Sequence, residues 1–392
     1  MFTHLLKLIW NKKKQNGLLM LELFFSFIGL FVLFTFLLYP YNNYKLPNGF
    51  NPESVWMVHF NMGDQTIPTD SLQMMRESVK KELLSMEKVE AASFSGSNIP
   101  FSGNGINATF NYAGQDLFAN IYSTEDSYAT VMGIPILEGR WFSKTDLGAR
   151  EPAVVINEGL RDKLFGKENP IGKLIGSDVS GKMKVVGIAA NSKDESPYEV
   201  PRPGLYRQID TSTIRANETL VIKVRASADA AFEGQVVKAL SRSLKMNSVE
   251  IVHMDDLVEG ARKKMLVVVT GFSVVAGFLL INVALGIFGV LWYNISRRRG
   301  EIGLRRAVGA TGAEISRQLV YEALLMATIS LLLGCFFSIQ LPLLNMGDLP
   351  AKNYITAIIL SVIVIYCLVI VCAVYPGRQA ANIYPATALH ED

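Results

Sequence analysis

The chain has 392 residues, of which 50% are apolar and only 19% are charged, and its formal net charge is +3. Soluble globular proteins carry about a quarter charged residues, so this composition is poor in charge. A small net charge without a polybasic tail argues against bulk nucleic-acid binding. The apolar residues concentrate in four blocks, and this distribution indicates a membrane protein.

Each of the four apolar blocks is long enough to cross a bilayer. A spanning helix needs about 20 apolar residues, and a helix buried in a soluble core is seldom this long without a polar face. We therefore predict four transmembrane helices. Their predicted boundaries, in chain order, are residues 18–39, 265–292, 319–344 and 354–375.

The first block is predicted to be an uncleaved anchor. Its apolar run is longer than the ~7–15 residues of a signal peptide, and no small-x-small cleavage site follows it. The sequence Tyr39-Pro40-Tyr41 follows instead, which predicts an interfacial aromatic anchor and the end of the helix. Residues 2–10 and the three lysines after them are typical of an amphipathic helix on the inner membrane surface. Residues 1–17 are therefore predicted to be a cytoplasmic amphipathic segment.

The positions of lysine and arginine predict the orientation, because cytoplasmic loops carry an excess of both. Residues 1–17 hold four lysines and no acid, and residues 293–318 hold six arginines against two glutamates. In contrast, residues 40–264 hold 26 basic and 28 acidic side chains. We expect the 293–318 loop, the N-terminus and the tail at 376–392 to face the cytoplasm. The segment 40–264 and the short loop 345–353 are expected to face outward.

The outward segment 40–264 is predicted to be a mixed α/β domain. A strand, an amphipathic helix and a second strand follow one another between residues 54 and 95, and the same pattern recurs between residues 219 and 254. Two such units predict one split sheet, interrupted by an insertion at about 97–215 that is rich in glycine, proline and short β-like runs. The predicted fold class is thus a membrane α-helical protein with four transmembrane helices and a large α+β extracytoplasmic domain. That domain combines a split βαβ subdomain with a β-rich insertion.

Several motifs resemble those of one known family. The sequence RRRGEIGLRRAVGA at Arg297–Ala310 resembles the signature of FtsX-like and MacB-like ABC transporter permeases. The sequences MGIPILEGRWFSKTD (Met132–Asp146) and VVINEGLRDKLFGKENPIGK (Val154–Lys173) resemble the MacB-type periplasmic core. The match continues with KVVGIAAN (Lys184–Asn191), and YPGRQAANIYPATAL (Tyr375–Leu389) is similar to the family's exit from the last span. The resemblance covers nearly the whole chain in the expected order.

The resemblance implies a permease subunit in the bacterial inner membrane that is not itself catalytic and needs no cofactor. A separate cytoplasmic ATPase would bind ATP, and a second copy or a paralogous permease would complete a dimer. ATP-driven motion would then reach the outward domain, for export or extraction of a peptide, antibiotic, lipid or lipoprotein. Membrane lipid, a periplasmic adaptor and an envelope protein are further candidate partners.

Two features depart from the family pattern. MacB itself carries a nucleotide-binding domain ahead of its first span, where this chain has only 17 residues. Gly300 also stands where another charged residue is common. The first departure is the reason to expect ATP hydrolysis in a partner subunit.

The segment Arg297–Ala310 allows two interpretations. A cluster of cations fixes topology and contacts lipid headgroups. Alternatively, as the resemblance implies, a short helix docks into a groove of the ATPase through charge-assisted contacts of Glu301, Arg305 and Arg306. The candidate coupling residues are Arg297, Arg298, Arg299, Glu301, Gly303, Arg305, Arg306, Gly309 and Ala310.

Polar and small residues within the spans leave further alternatives open. Glu22 and Glu322 lie within about two turns of the cytoplasmic end of their spans, so each either pairs at the interface or belongs to a proton or ion pathway. The small residues of span two form either a dimer contact or a contact within the chain. These residues are Ser273, Gly277, Ala284, Gly286 and Gly289.

No catalytic, cofactor or metal motif is predicted, and no nucleic-acid partner. The string Gly166–Leu174 has the wrong spacing and the wrong final residue for a phosphate-binding loop, and the four histidines lack metal-ligand spacing. The three cysteines lie inside spans three and four, where small apolar packing residues are expected. The main alternative function is an FtsX-like signalling or scaffold protein that activates an envelope partner such as a wall hydrolase. A membrane-anchored enzyme is disfavoured by the missing catalytic set.

Overall fold

The computed structural model describes residues 13–60, 68–177, 181–210, 219–244, 249–344 and 349–381. The chain divides into two compact units, one containing residues up to Tyr41 and from Leu266 onward, the other Asn42–Met265. We call the first the membrane unit and the second, after the orientation predicted for it from the sequence, the outward unit. Most of the predicted amphipathic segment 1–17, part of the loop 345–353 and most of the tail 376–392 lie outside the described residues.

Four helices of the described chain are long and apolar enough to cross a membrane. They are α1 (Lys13–Tyr44), α6 (Met254–Arg297), α8 (Gly312–Ser338) and α10 (Ala351–Ala381). Two shorter helices accompany them, α7 (Arg299–Ala307) and α9 (Gln340–Leu343). Helices α1, α6 and α10 extend beyond both ends of their predicted apolar blocks, whereas α8 begins before residue 319 but ends at Ser338, short of the predicted 344. The region 293–318, predicted as a loop, is mostly helical.

Helix α1 continues past Pro40, where the sequence predicted its end. A proline inside a helix removes one backbone hydrogen bond and crowds the preceding turn. Pro40 lies close to the last residue, Tyr44, so the lost hydrogen bond falls at the fraying end and does not terminate the helix. Helix α10 contains Pro376 in the same way and runs on to Ala381.

The core of the membrane unit is apolar and draws side chains from all four long helices. Phe27 of α1 is fully buried and packs on Gly334 of α8, where an added Cβ would lie 2.3 Å from the phenyl ring. The absence of a side chain at Gly334 therefore sets the close approach of these two helices. Thr328 of α8 and Tyr366 of α10 add a hydrogen bond of 3.0 Å between their hydroxyls.

The outward unit contains a four-stranded antiparallel sheet with two helices. The elements are β1 (Val55–Phe60), α2 (Thr69–Leu84), β2 (Val89–Ser95), β10 (Thr219–Val224), α5 (Ala230–Leu244) and β11 (Val249–His253). The strand order is β11–β1–β10–β2, so β10 lies between β1 and β2. This arrangement is a split βαβ motif and confirms the predicted split sheet.

The insertion between β2 and β10 forms a closed ring of six strands. These are β3 (Asn107–Tyr112), β4 (Gln115–Thr124), β6 (Ala153–Asn157), β7 (Leu174–Ser177), β8 (Gly181–Ala189) and β9 (Gly204–Gln208). The pairing runs β4–β3–β7–β8–β6–β9, and β9 pairs back to β4. Closure leaves the ring without an open edge. Strand β5 (Ile136–Gly139) pairs with β8, and α3 (Tyr128–Met132) and α4 (Glu158–Leu164) complete the insertion.

Helices α2 and α5 cover one face of the four-stranded sheet with apolar residues at helical spacing. The buried residues of these two helices include Leu72, Val79, Leu83, Phe232, Val236, Leu240 and Leu244. The other face packs against a second cluster that contains Phe50, Tyr206 and the first turns of α6. A third cluster fills the interior of the six-stranded ring. The predicted fold class, four membrane helices with an α+β domain, is confirmed.

Candidate coupling site

The segment Arg297–Ala310 folds as a short helix between two long ones. Helix α6 ends at Arg297, and α7 occupies Arg299–Ala307. Gly309 follows with φ +106°, a backbone conformation that favours glycine. Thr311 then caps α8, because its side chain and that of Glu314 each accept the other residue's backbone N–H. Tight turns at both ends thus fix the direction of α7.

One side of α7 is buried in a small apolar cluster. Ile302 and Gly303 are its buried residues. Ile302 packs with Ile295 of α6, with Ile315 and Leu319 of α8 and with Ala380 of α10, and Ala310 is half-buried against the same cluster. Helix α7 is therefore anchored to three of the long helices through side chains at helical spacing.

A closed network of polar side chains surrounds this apolar contact. We call it the polar ring, and its members are Arg298, Glu301, Arg305, Gln318 and Glu322. Arg298 Nη1 donates to Glu322 Oε2 at 3.0 Å, and Gln318 Nε2 donates to Glu322 Oε1 at 3.1 Å. Arg305 donates from Nη1 to Gln318 Oε1 at 3.0 Å and from Nη2 to Glu301 Oε1 at 2.6 Å. An ion pair of 3.9 Å between Glu301 and Arg298 closes the ring.

The ring places an acid of a membrane span beside an arginine. The side chains of Arg298 and Glu322 are only 13% and 14% exposed, so both charges are largely withdrawn from water. Such a pair persists only when each charge has close, well-directed partners. Gln318 meets this need for the second carboxylate oxygen of Glu322. The Arg298 Nε atom is buried without a hydrogen-bond acceptor.

The opposite side of α7 is exposed. Leu304 is 56% exposed and Val308, just beyond the helix, is 82% exposed. Arg306 lies outside the polar ring and is half-buried, whereas Gly300 has open space around it. Two exposed apolar side chains therefore lie near the cation Arg306 on this side of α7.

The remaining candidate residues lie around this site or away from it. The guanidinium of Arg297 lies over the Tyr293 ring at 5.1 Å, and Arg299 is exposed. Glu22 does not join the ring. Its carboxylate lies against Gly286 of α6, where an added Cβ would be 2.1 Å from either oxygen. The two intramembrane acids are thus in different environments, and Gly286 makes a contact within the chain.

Sequence reasoning missed Gln318 and the apolar cluster beneath α7. Gln318 precedes Glu322 by four residues and therefore lies on the same face of α8. That spacing was a usable signal once Glu322 had been singled out. The contacts of Ile302 with Ile295 and Ile315 depend on how three helices pack, and local sequence does not carry this information.

The structure also brings together three residues that the sequence did not group. Ligand atoms of His253, Asp255 and Asp256 lie within 4.8 Å of one another at the start of α6. His253 Nε2 is 3.0 Å from Glu233 Oε2, and both aspartates are exposed. Acids in the first turn of a helix are common because they complement its dipole.

Comparison with known proteins identifies both halves of this architecture. The sequence profile of the MacB-like periplasmic core domain matches residues 27–239, which are 213 of the 392 residues. The profile of the FtsX-like permease C-terminal region matches residues 273–385. The first profile covers more than half of the chain.

Curated relatives include two proteins named macrolide export ATP-binding/permease protein MacB. The one from Neisseria gonorrhoeae is 27% identical over 316 residues, which are 76% of this chain and 47% of the relative. The one from Vibrio parahaemolyticus is 25% identical over 321 residues, which are 78% of this chain and 48% of the relative. The chain thus spans about half the length of the curated relatives it matches.

Two solved structures are among the matches. The periplasmic region of MacB from Actinobacillus actinomycetemcomitans matches with a TM-score of 0.38 and 15% identity, covering 55% of this chain and 95% of that one. The extracellular domain of the noncanonic ABC-type transporter YknZ from Gram-positive bacteria matches with a TM-score of 0.36 and 14% identity, covering 50% and 99%.

The four membrane helices, the α+β outward unit and the two family profiles agree with one another. This chain therefore belongs to the MacB-like, FtsX-type family of ABC transporter permeases of the inner membrane.

Proposed function

We propose that this chain is the membrane subunit of an ABC transporter whose ATP hydrolysis takes place in a separate cytoplasmic ATPase, with α7 as the helix that docks on that ATPase. The observation that carries the proposal is the two-sided construction of α7. Its inner side is held by Ile302 and by the polar ring, while Leu304, Val308 and Arg306 remain available to a partner. The positive-inside distribution of arginine supports a cytoplasmic position for this helix.

The polar ring supports transmission as well as docking. A force that the ATPase applies to α7 passes to α8 through the hydrogen bonds Arg298–Glu322 and Arg305–Gln318. It passes to α6 through the covalent turn at Arg298 and the packing of Ile295. Helix α6 continues from that turn back to Met254, at the end of β11, and its axial stiffness suits it to carry displacement. Force delivered to the outward unit is therefore the proposed output.

The relatives indicate only the broad chemical class of the compound that is transported. The curated MacB proteins are named for macrolide export. We propose export or extraction of an amphipathic compound, such as an antibiotic, peptide, lipid or lipoprotein, by a dimer of this chain with itself or with a paralogue. A periplasmic adaptor or envelope protein bound to the outward unit would complete the assembly.

The first test is a mild-detergent pulldown of the full chain from its native membrane. We expect an ATPase with a phosphate-binding loop among the bound proteins. Recovery of a wall hydrolase without any ATPase would contradict the proposal and favour signalling instead. Recovery of an adaptor together with the ATPase would support export.

The second test separates docking from the integrity of the polar ring. Arg306→Glu and Leu304→Asp change the outer side of α7, and we expect each to weaken ATPase recruitment by about tenfold or more, as truncation at central interface residues does. Lys352→Glu, at the exposed start of α10, is the matched charge-reversal control and should recruit the ATPase normally. Recruitment assays with purified ATPase supply the measurement. Normal recruitment by both α7 variants would overturn the docking role.

A further inference from the structure

Lys193 is a fully buried lysine in the outward unit, between β8 and β9. Its ammonium group donates to three backbone carbonyl oxygens, those of Asn43 at 2.9 Å, Leu46 at 2.6 Å and Pro197 at 2.8 Å. A lysine ammonium has three donors, so these three acceptors satisfy it completely. Burial lowers the pKa of Lys193, because it withdraws the ammonium group from water.

One of the three carbonyls lies in the last turn of the first membrane helix, and a second lies just beyond that helix. Helix α1 ends at Tyr44, so Asn43 is in its last turn and Leu46 is two residues past its end. The last four carbonyls of a helix lack partners within the helix. A cation at this end is also favoured by the helix dipole. Lys193 therefore acts as a C-cap that is supplied by a distant part of the chain.

The backbone after α1 lies in close contact with residues 191–193. The backbone N–H of Lys193 donates to Asn48 O at 3.0 Å. Gly49 has φ +80°, and a Cβ added there would lie 1.8 Å from Asn191 O. Only glycine permits this approach, so residues 46–49 have little freedom to leave residues 191–193.

Tyr198 extends the contact to the second membrane connection. The Tyr198 ring stacks on Tyr44 with centroids 5.2 Å apart. The Tyr44 hydroxyl interacts electrostatically with the Arg262 side chain of α6, and Arg262 pairs with Glu259 at 2.8 Å. One turn earlier, Leu257 and Val258 of α6 pack into the apolar core of the outward unit. The segment 193–198 thus contacts the end of α1 and is connected through Tyr44 to the base of α6.

We propose that residues 193–198 form a clasp, with Lys193 as its positioning residue, that fixes the end of α1 and the base of α6 to one point of the outward unit. Movement of either membrane helix then reaches that unit through the same contact. The clasp itself consists of the contacts that Lys193 and Tyr198 make with residues 43–46. Its role in transmission rests on the proposed function.

The test uses the full chain in lipid nanodiscs, with Lys193→Met as the main variant. Methionine keeps much of the side-chain length and removes all three donors. We expect amide hydrogen exchange over residues 43–49 to rise by about tenfold or more, while the strands of the six-stranded ring stay protected. Lys184→Met, at an exposed lysine of β8, is the matched control and should change nothing. Unchanged exchange in Lys193→Met would overturn the clasp.

A second readout separates a positioning role from a merely structural one. With the ATPase added, Lys193→Met should recruit it normally, because α7 is untouched. With a macrolide antibiotic as the transport probe, this variant should transport at least about tenfold less of it per ATP hydrolysed. Faster exchange with undiminished transport per ATP would overturn the transmission role. If wild-type chain recruits no ATPase, the proposed function fails and the exchange data alone decide the clasp.

Tyr44→Phe serves where Lys193→Met does not fold. This variant removes only the hydroxyl that interacts electrostatically with Arg262 and keeps the ring stacked on Tyr198. We expect a smaller rise in exchange, about threefold, at the first turns of α6. An unchanged rate there would overturn the connection between the clasp and α6.

Discussion

The polar ring of α7 and the clasp at Lys193 both place a cation at the junction of helices, yet their acceptors differ. In the ring, Arg298 and Arg305 bond to side chains of Glu322, Gln318 and Glu301. In the clasp, Lys193 bonds to backbone carbonyls alone. Side-chain acceptors can be removed together with their donors, whereas backbone carbonyls remain whatever the sequence. The charged side chains of the ring can therefore be replaced together by apolar ones, whereas the clasp depends on the side chain of Lys193 alone.

The largest effect that tests this contrast is expected from Arg298→Ala. The substitution leaves Glu322 largely buried without its cation, which costs about 3 kcal/mol when one partner of a buried pair is removed. The paired replacement Arg298→Met with Glu322→Leu removes both charges and should restore most of that free energy of unfolding. Unfolding of the membrane unit in mixed detergent micelles measures both. If the single and the paired variant lost the same free energy of unfolding, apolar side chains could not take the place of the Arg298–Glu322 pair.

An intermediate effect is expected from Asp194, the buried acid within the clasp. Asp194 accepts hydrogen bonds from the Tyr122 hydroxyl and from Asn120 Nδ2, and burial still raises the pKa of its carboxyl group. Arg202 opposes this rise and Glu195 adds to it. A raised pKa means that the folded state binds the proton more tightly than the unfolded state. The free energy of unfolding should therefore fall as pH rises from about 4 through the raised pKa of Asp194.

Asp194→Asn removes the titrating group and should flatten this pH dependence. Chemical denaturation of the full chain at several pH values, followed by tryptophan fluorescence of the outward unit, provides the measurement. The matched variant Asp116→Asn changes an exposed aspartate of β4 and should retain the wild-type slope. An identical slope in Asp194→Asn and wild type would exclude Asp194 as its source.

The smallest effect is expected from single losses at the exposed part of the ring. Gln318→Ala removes one neutral bridge while Arg298 still pairs with Glu322, so we expect a loss of about 1 kcal/mol. Glu301→Ala breaks a half-exposed helix pair and should cost about 0.5 kcal/mol. The same detergent unfolding assay measures both. If Glu301→Ala lowered the free energy of unfolding as much as Arg298→Ala does, the side chains of the ring would act as one cooperative unit.

Much of the fold was predictable because its signals are local. The apolar blocks predicted the four membrane helices, and the strand–helix–strand patterns at residues 54–95 and 219–254 predicted α2 and α5 with their flanking strands. Helix ends were less predictable, since Pro40 indicated an end that the backbone passes by one turn. The candidate coupling segment was found from its motif, but its division into an anchored and an exposed side was not.

Sequence by itself determined the membrane class, the split of the α+β domain around an insertion and the position of the family motif at Arg297–Ala310. These properties follow from composition and periodicity within single elements. Tertiary structure alone decided that the strands of the insertion close into a ring, that Gln318 completes the polar ring and that Lys193 caps α1. Each of these contacts joins residues far apart in the chain, and Lys193 and Asn43 are separated by 150 positions. No local pattern specifies such a partner, because the carbonyl acceptors are chemically identical at every residue.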